Sequence, residues 1–255
     1  MRTAVIIQAR MGSSRLPGKV LMKVDGRELL SYMLERVAGA KSVSQVIVAT
    51  TVDPKDDPIA AFCEKNGVRV FRGDENDVLD RYYQAALTVK PQVVVRLTSD
   101  CPLIDPKVID LVVERHLSAG DDYTANTAPP VGTYPDGMDV EVFSFQALER
   151  AWKEAKLPSE REHVTFFLWK TGRFKTSRVD LPQSLSSFRL TVDYPQDLEV
   201  VTAVLKELHA RNPLFTMAQV IDFLNAHPDI RERNSAIGWN QGWKPALEKD
   251  KQAQG

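Results

Sequence analysis

Four short apolar runs, Thr3–Gln8, Gln45–Thr50, Val68–Phe71 and Val93–Leu97, alternate with segments whose apolar residues recur at helical spacing. Leu29, Leu30, Met33, Leu34 and Val37 mark one helix, and Val78, Leu79, Tyr82, Tyr83 and Ala86 mark another. Strand, helix, strand in succession is the order of βαβ units, which build parallel sheets covered by helices. Val93-Val-Val95 is apolar on both faces, as a strand held between two helical layers must be. The pattern predicts an α/β fold, and in such sheets ligands collect at the carboxyl ends of the strands.

One of those ends carries unusual chemistry. The strand Thr3-Ala-Val-Ile-Ile7 feeds directly into Gln8-Ala-Arg-Met-Gly-Ser-Ser-Arg-Leu-Pro-Gly-Lys19. Gly12 and Gly18 let backbone N–H groups turn inward, Arg10, Arg15 and Lys19 offer charge-assisted hydrogen bonds, and Ser13 and Ser14 add neutral donors. A turn of this composition is suited to an anionic, oxygen-rich guest such as a phosphate, although an exposed basic turn has the same composition. It is not a Walker loop, since five residues separate the glycines and Val20 follows the lysine. No G-x-G-x-x-G follows the strand either, which excludes the dinucleotide fingerprint.

Asp100 lies just beyond the run Val93–Leu97 and is therefore expected in the same cleft. A carboxylate facing a polyphosphate repels it unless a cation stands between them, and Mg²⁺ takes one or two carboxylates together with phosphate oxygens and water. Asp193 and Asp197 in Leu190–Glu199 offer a second acidic group, with Asp193 equally suited to ligate a metal or to cap a helix. Asp105 before Pro106 reads as a helix cap.

Past residue 120 the alternation ends in a Pro-, Gly- and Asp-rich excursion. Residues 123–174 read as an insertion that shapes an acceptor pocket or a dimer contact, with helices over Phe145–Ala155 and Ser159–Lys170. Ser159 with Glu162 reads as a capping box, leaving Arg161 and His163 open as substrate contacts. The core is expected to resume with a strand at Phe188–Val192, a helix from Pro195 to about Arg211 and another near Met217–His227. Residues 1–245 are expected to form one domain, Trp239 and Trp243 to pin its end, and 246–255 to fray as a polar tail.

The 255 residues carry a net charge of −1, against a duplex nucleic-acid partner, and no apolar stretch reaches the ~20 residues of a membrane span. The start reads as a strand, not a signal peptide, so a cytoplasmic location is expected. Two cysteines far apart exclude a disulfide scaffold or a zinc site.

Gln8–Lys19, the Asp100 loop and Val192–Leu198 resemble the signature regions of the sugar-acid cytidylyltransferases, which include the acylneuraminate and 3-deoxy-manno-octulosonate enzymes. Val48-Ala-Thr-Thr51, Phe71-Arg-Gly73, Asp77–Arg81, Tyr134–Glu141 and Ser159–Val164 resemble in particular the branch named for spore coat polysaccharide biosynthesis protein F. The resemblance implies a Rossmann-like nucleotidyltransferase fold, a mixed and mostly parallel sheet whose insertion often serves dimerisation. It implies transfer of CMP from CTP to a sugar-acid hydroxyl with release of pyrophosphate. Ala9, Arg10, Gly12, Ser13, Ser14, Arg15 and Lys19 would hold the triphosphate, with Arg10, Lys19 and Asp100 as the catalytic set. Asp100 and Asp193 would hold Mg²⁺, Thr50 and Arg72 would lie near base and ribose, and Asp139, Arg161 and His163 would face the acceptor. The loop departs from the octulosonate enzymes' Gly-Asp-Glu-Pro, reading Ser99-Asp-Cys-Pro102, so the acceptor is not fixed. Two alternatives stay open: a different nucleotide or a non-sugar acceptor, and a nucleotide-binding regulator without turnover.

Overall fold

The structure is a computed structural model that describes residues 2–127, 132–238 and 243–254, the side chains of 243–245 and 253–254 excepted. The strands are β1 (Thr3–Gln8), β2 (Lys23–Val24), β3 (Arg27–Glu28), β4 (Gln45–Thr51), β5 (Arg69–Gly73), β6 (Val93–Thr98), β7 (Tyr123–Ala125), β8 (Glu141–Ser144) and β9 (Thr176–Arg178). The helices are α1 (Leu29–Ala38), α2 (Asp57–Lys65), α3 (Val78–Leu87), α4 (Pro106–Ala119), α5 (Phe145–Glu154), α6 (Pro158–Glu162), α7 (Phe166–Lys170), α8 (Pro195–Val204), α9 (Met217–Ala226), α10 (Pro228–Arg231) and α11 (Trp243–Gln254).

Seven strands form one sheet in the order β5-β4-β1-β6-β8-β7-β9, with β2 and β3 a separate hairpin. β5, β4, β1 and β6 are mutually parallel, and β8 runs against both its neighbours. The sheet is therefore mixed and mostly parallel, as expected. Alternate side chains of the central strands enter two separate cores: Val5, Ile7, Val93 and Val95 pack on one face, Ile6 and Val94 on the other. From β1 the chain moves outward to β4 and β5 and then returns to β6 on the other side of β1. The order reverses there, which opens a crevice beyond the carboxyl ends of β1 and β6.

Three expectations are corrected. Phe188–Val192 is not a sheet strand; among the described residues it makes one isolated bridge, Asp136 with Arg189. Its backbone groups go instead to two loops, with Leu190 N–H donating to Asp136 O at 2.6 Å and Val192 N–H to Asp100 O at 2.8 Å. Ser159–Lys170 is not one helix, because Val164 at φ 58° interrupts it between α6 and α7, an uncommon conformation for a β-branched residue. The helix cap also shifts: Glu160 Oε2 accepts from the N–H groups of Lys156 and Leu157, each at 3.0 Å, and Ser159 lies inside α6. Asp105 does cap α4, accepting from Lys107 N–H at 2.8 Å.

Instead of fraying, the polar end of the chain forms α11. Asp250 accepts from Ser159 N–H at 2.8 Å and from its hydroxyl at 2.5 Å, so a charged residue whose partner lies 91 positions away anchors a helix that looks solvent-exposed in sequence. Trp239 and the side chain of Trp243 lie outside the described residues. No described helix is long and apolar enough to cross a membrane.

Candidate active site

The loop after β1 is shaped by its own backbone and by one buried carboxylate. Asp56 accepts from Met11 N–H at 2.7 Å and from the Thr51 hydroxyl at 2.5 Å, tying the loop's start to the end of β4. Met11 O accepts from Ser13 N–H at 2.9 Å and Gly18 N–H at 3.0 Å, which folds the segment back on itself, with Gly18 at φ 72°. The Ser13 hydroxyl accepts from Leu16 N–H at 3.3 Å and keeps its own hydrogen for a ligand.

The turn delivers Lys19 to the crevice. Its Nζ donates to Asp100 Oδ2 at 3.0 Å, Asp193 Oδ1 at 2.8 Å and Val192 O at 2.7 Å. Two carboxylates 93 positions apart thus converge on one ammonium. Arg15 Nη2 reaches the same Asp193 Oδ1 at 2.6 Å, and Arg189 Nη2 lies 3.3 Å from its other oxygen. Burial disfavours the charged lysine, but Asp100 and Asp193 outweigh it and raise the Lys19 pKa. Burial alone would likewise raise the Asp100 carboxyl, yet the Lys19 charge and the hydrogen bonds around it bring it down to about 2. The Asp193 carboxyl is also lowered, with Lys19 and Arg15 overcoming burial and the repulsion of Asp100.

These groups border a cavity of about 750 Å³. Ala9, Arg10, Ser13, Ser14, Arg15, Lys19, Asp100, Asp139, Arg161, His163 and Asp193 all line it, so the structure brings together most of the residues singled out in the sequence. Gly12 lies in the same turn but not in the lining. Thr50 and Arg72 are not in the lining either. Thr50 is fully buried within β4, and Arg72 is turned away, donating to Thr51 O at 2.8 Å and Asp53 O at 3.0 Å and pairing with Asp57 at 2.7 Å.

The far wall comes from the insertion and the C-terminal segment. Arg161 is held by Asp77, with Nε to Oδ2 at 3.1 Å, and donates to Trp152 O at 2.8 Å, so it fastens α6 to the start of α3. His163 stacks on Phe166 at 4.6 Å, and burial, reinforced by Arg96, brings its pKa down to about 4. A neutral imidazole suits a hydroxyl better than a carboxylate. Asp139 accepts from Gly137 N–H at 2.9 Å, and burial raises its pKa. Beside it, burial and the charge of Asp139 push the Asp136 carboxyl up to about 8, although Arg189 Nη1 donates to it at 2.5 Å. Asp136 and Asp139 lie close to Asp100 and Asp193, and the cations there, Lys19, Arg15 and Arg189, leave Asp139 without an ion pair among the described residues. Asp197 takes no part, being fully buried and accepting from Arg189, Asn234 and two backbone N–H groups.

Sequence reading missed Asp136, Arg189 and Lys249, which also line the cavity. Lys249 looked like part of a solvated tail, and Arg189 like a strand residue. Two further groups position the site from behind. Arg36, fully buried, donates to the carbonyls of Leu103, Ile104, Pro213 and Phe215 at 2.6–3.2 Å, which fixes the loop that follows Asp100. Gly137, at φ 99°, lets the Pro135–Asp139 turn lie directly on the segment carrying Asp193, since a Cβ there would stand 2.5 Å from Leu190 C and Thr191 N.

The donor set fits a hard divalent cation. Asp100 and Asp193 offer oxygens to a single positive charge, now that of Lys19. Among the described residues no cluster of three acidic, His or Cys side chains could hold a metal by itself. A cation here would complete its coordination with ligand oxygens and water.

The family model described as Cytidylyltransferase matches residues 4–213. Spore coat polysaccharide biosynthesis protein SpsF of Bacillus subtilis is 34% identical over 242 residues, covering 91% of this chain and 97% of that protein. A 3-deoxy-manno-octulosonate cytidylyltransferase of Anaeromyxobacter is 41% identical over the aligned region, covering 79% of this chain and 97% of that protein. Among solved structures, a cytidylyltransferase from Leptospira borgpetersenii superposes with a TM-score of 0.85 at 35% identity, covering 91% of this chain and 97% of its own.

Proposed function

The chain belongs to the cytidylyltransferase family, and from that premise we propose that it transfers CMP from CTP to a hydroxyl of a sugar acid, releasing pyrophosphate. The observation that carries this reading is the convergence of Asp100 and Asp193 on Lys19, beneath a turn bearing Arg10 and Arg15. In the reaction the acceptor hydroxyl gives up its proton to solvent as its oxygen bonds to the α-phosphorus, the bond from that phosphorus to the α,β-bridging oxygen breaks, and the bridging oxygen leaves with pyrophosphate. Fixed positive charge near those oxygens is then the main source of acceleration.

Arg10, with about half of its side chain exposed, and Arg15 are free to turn toward a polyphosphate at the cost of weak or partly exposed pairs with Glu75 and Asp193. A polyphosphate would compete with both aspartates for the Lys19 ammonium. Asp100 and Asp193 would hold Mg²⁺, which when bound supplies charge neutralisation at the α-phosphate and acidifies the acceptor hydroxyl. Asp139, near the carboxylate pair, and the neutral His163, on the wall built by the insertion, would accept or donate hydrogen bonds to sugar hydroxyls.

The names of the relatives support the substrate class: one acts in spore coat polysaccharide biosynthesis and one is an octulosonate cytidylyltransferase. We place the enzyme in the cytoplasm as a homodimer, in the synthesis of activated sugars for surface polysaccharides. The test is pyrophosphate release by the purified protein with each of four nucleoside triphosphates, Mg²⁺ and a library of sugar acids. CTP-dependent release with at least one acid is the expected result; release with another nucleotide alone, or with none, rejects the proposal. Sedimentation of the same preparation tests the dimer.

A further inference from the structure

Asp193 gives its two oxygens to two different cations. Oδ1 accepts from Lys19 at 2.8 Å and pairs with Arg15 at 2.6 Å, on the side shared with Asp100, whereas Oδ2 meets Arg189 Nη2 at 3.3 Å. The other arm of that guanidinium, Nη1, donates to Asp136 Oδ2 at 2.5 Å. A carboxylate shared by two positive centres, each with a further aspartate of its own, is the ligand pattern of a paired divalent site, in which two ions stand about 3.5–4 Å apart. Here one centre is the Lys19 ammonium, between the two aspartates suited to a metal. The other is Arg189.

The two cations differ in freedom. A polyphosphate can draw the Lys19 ammonium away, since its stem is long and rotatable. Arg189 is clamped from behind. Its Nε and Nη2 donate to Asp197 Oδ1 and Oδ2 at 2.9 and 3.0 Å, the two-pronged geometry that an arginine fork and a carboxylate share. Asp197 is fully buried and is itself fixed by Asn234 at 2.9 Å and by the N–H groups of Asp193 and Tyr194 at 2.9 and 3.0 Å. The Arg189 carbonyl accepts from Asn234 at 3.0 Å, and its backbone bridges to Asp136. Swinging the guanidinium out would strip a buried carboxylate of its counter-charge, which is strongly destabilising. Its positive charge therefore stays between Asp136 and Asp193 when ligands come and go.

We propose that Arg189 is a built-in counter-charge at the second cation position of the crevice, so that this chain takes a single divalent ion, at Asp100 and Asp193, where its aspartates would otherwise hold two. This rests on the reading that the crevice binds a nucleotide together with a divalent ion. Arg189 acts through Asp193: by holding Oδ2 it leaves Oδ1 to face the ion, and by holding Asp136 it denies a further ion its second carboxylate. It is a positioning residue. Among the described residues no three acidic, His or Cys side chains form a cage for a metal, in keeping with one ion that draws its other ligands from substrate and water.

The test is Mn²⁺ binding to the wild type, Arg189→Gln, Arg189→Lys and Asp136→Asn, each with the non-hydrolysable α,β-methylene analogue of CTP, and thermal unfolding of each. Bound ions are counted from the free Mn²⁺ signal in electron paramagnetic resonance, against nucleotide alone, and exchange-coupled lines report two ions in contact. The titration runs at about pH 8.5, above the Asp136 value of about 8, so that a proton does not stand in for the ion. The wild type, Arg189→Lys and Asp136→Asn are expected to bind one ion per chain, and Arg189→Gln two, with coupled lines. An Arg189→Gln protein that melts earlier but still binds one ion has lost only a structural tie, and overturns the inference. A coupled pair in the wild type overturns it too, as does loss of the single ion in Asp136→Asn, and both readings hold even if Arg189→Gln fails to fold. These outcomes leave the metal reading of Asp100 and Asp193 standing. A wild type that takes no ion with the nucleotide rejects that reading and the inference together.

Discussion

Replacing Lys19 with methionine removes one charge from between two carboxylates and keeps the buried stem. Its effect on stability follows from the Asp100 carboxyl, lowered from 3.8 to about 2. That shift corresponds to about 2 kcal/mol of native-state stabilisation. The Lys19 charge is the largest favourable contribution to it, opposing burial, so Lys19→Met should forfeit roughly that much at neutral pH. Arg15 and Arg189 still hold Asp193, which limits the further loss. For a chain of this size about 2 kcal/mol lowers the unfolding midpoint by roughly 4–8 °C. The sign with pH is also fixed: a depressed carboxyl contributes fully above its unfolded value and loses that contribution as pH falls through the folded one. The wild type should therefore lose this increment between about pH 4 and 2, and Lys19→Met should not. The decisive assay is thermal unfolding without nucleotide, with and without about 10 mM MgCl₂ or MnCl₂, because a ligand bound only by the native state raises its stability by mass action. With Lys19 gone, Asp100 loses its ammonium partner and Asp193 one of its three cationic partners, so a divalent cation meets less competition and the variant should gain more from metal than the wild type. Equal melting of the two proteins in the absence of metal, or equal gains from it, would refute this electrostatic account.

Three further outcomes are expected. Asp100→Asn should reduce turnover by on the order of 10²-fold at saturating CTP and Mg²⁺; near-normal turnover in a steady-state assay removes Asp100 from the reaction. Gly137→Ala forces a Cβ at φ 99° against the backbone of Leu190 and Thr191, neither of which can rotate away. It should cost about 3 kcal/mol, read as a lower midpoint in chemical denaturation. Asp250→Ala leaves the Ser159 N–H and hydroxyl without their acceptor, at about 1–3 kcal/mol, and should raise amide hydrogen exchange in α11 and α6 ahead of the central sheet.

Much of this protein is legible along the chain because its signals are local. Periodicity alone gave the parallel core, since Val5 and Ile7 on one face and Ile6 on the other must both be apolar in a strand covered twice. Glycines, serines and fixed cations packed into Gln8–Lys19 marked the loop, and the end of an apolar run marked Asp100. Pairings between distant residues were not legible. Nothing in sequence ties Asp250 to Ser159 or turns Arg72 toward Asp57. Phe188–Val192 was apolar enough for a strand, but which backbone groups meet its N–H groups depends on loops 54 and 92 positions earlier. Sequence by itself determined the four parallel strands, the basic turn and the inventory of acids, because chain-local sterics and burial dictate them; the antiparallel β8 and the edge strands β7 and β9 were not read from it. Only the tertiary structure decided that Lys19 stands between Asp100 and Asp193, because an electrostatic contact depends on distances in space, which a sequence does not contain.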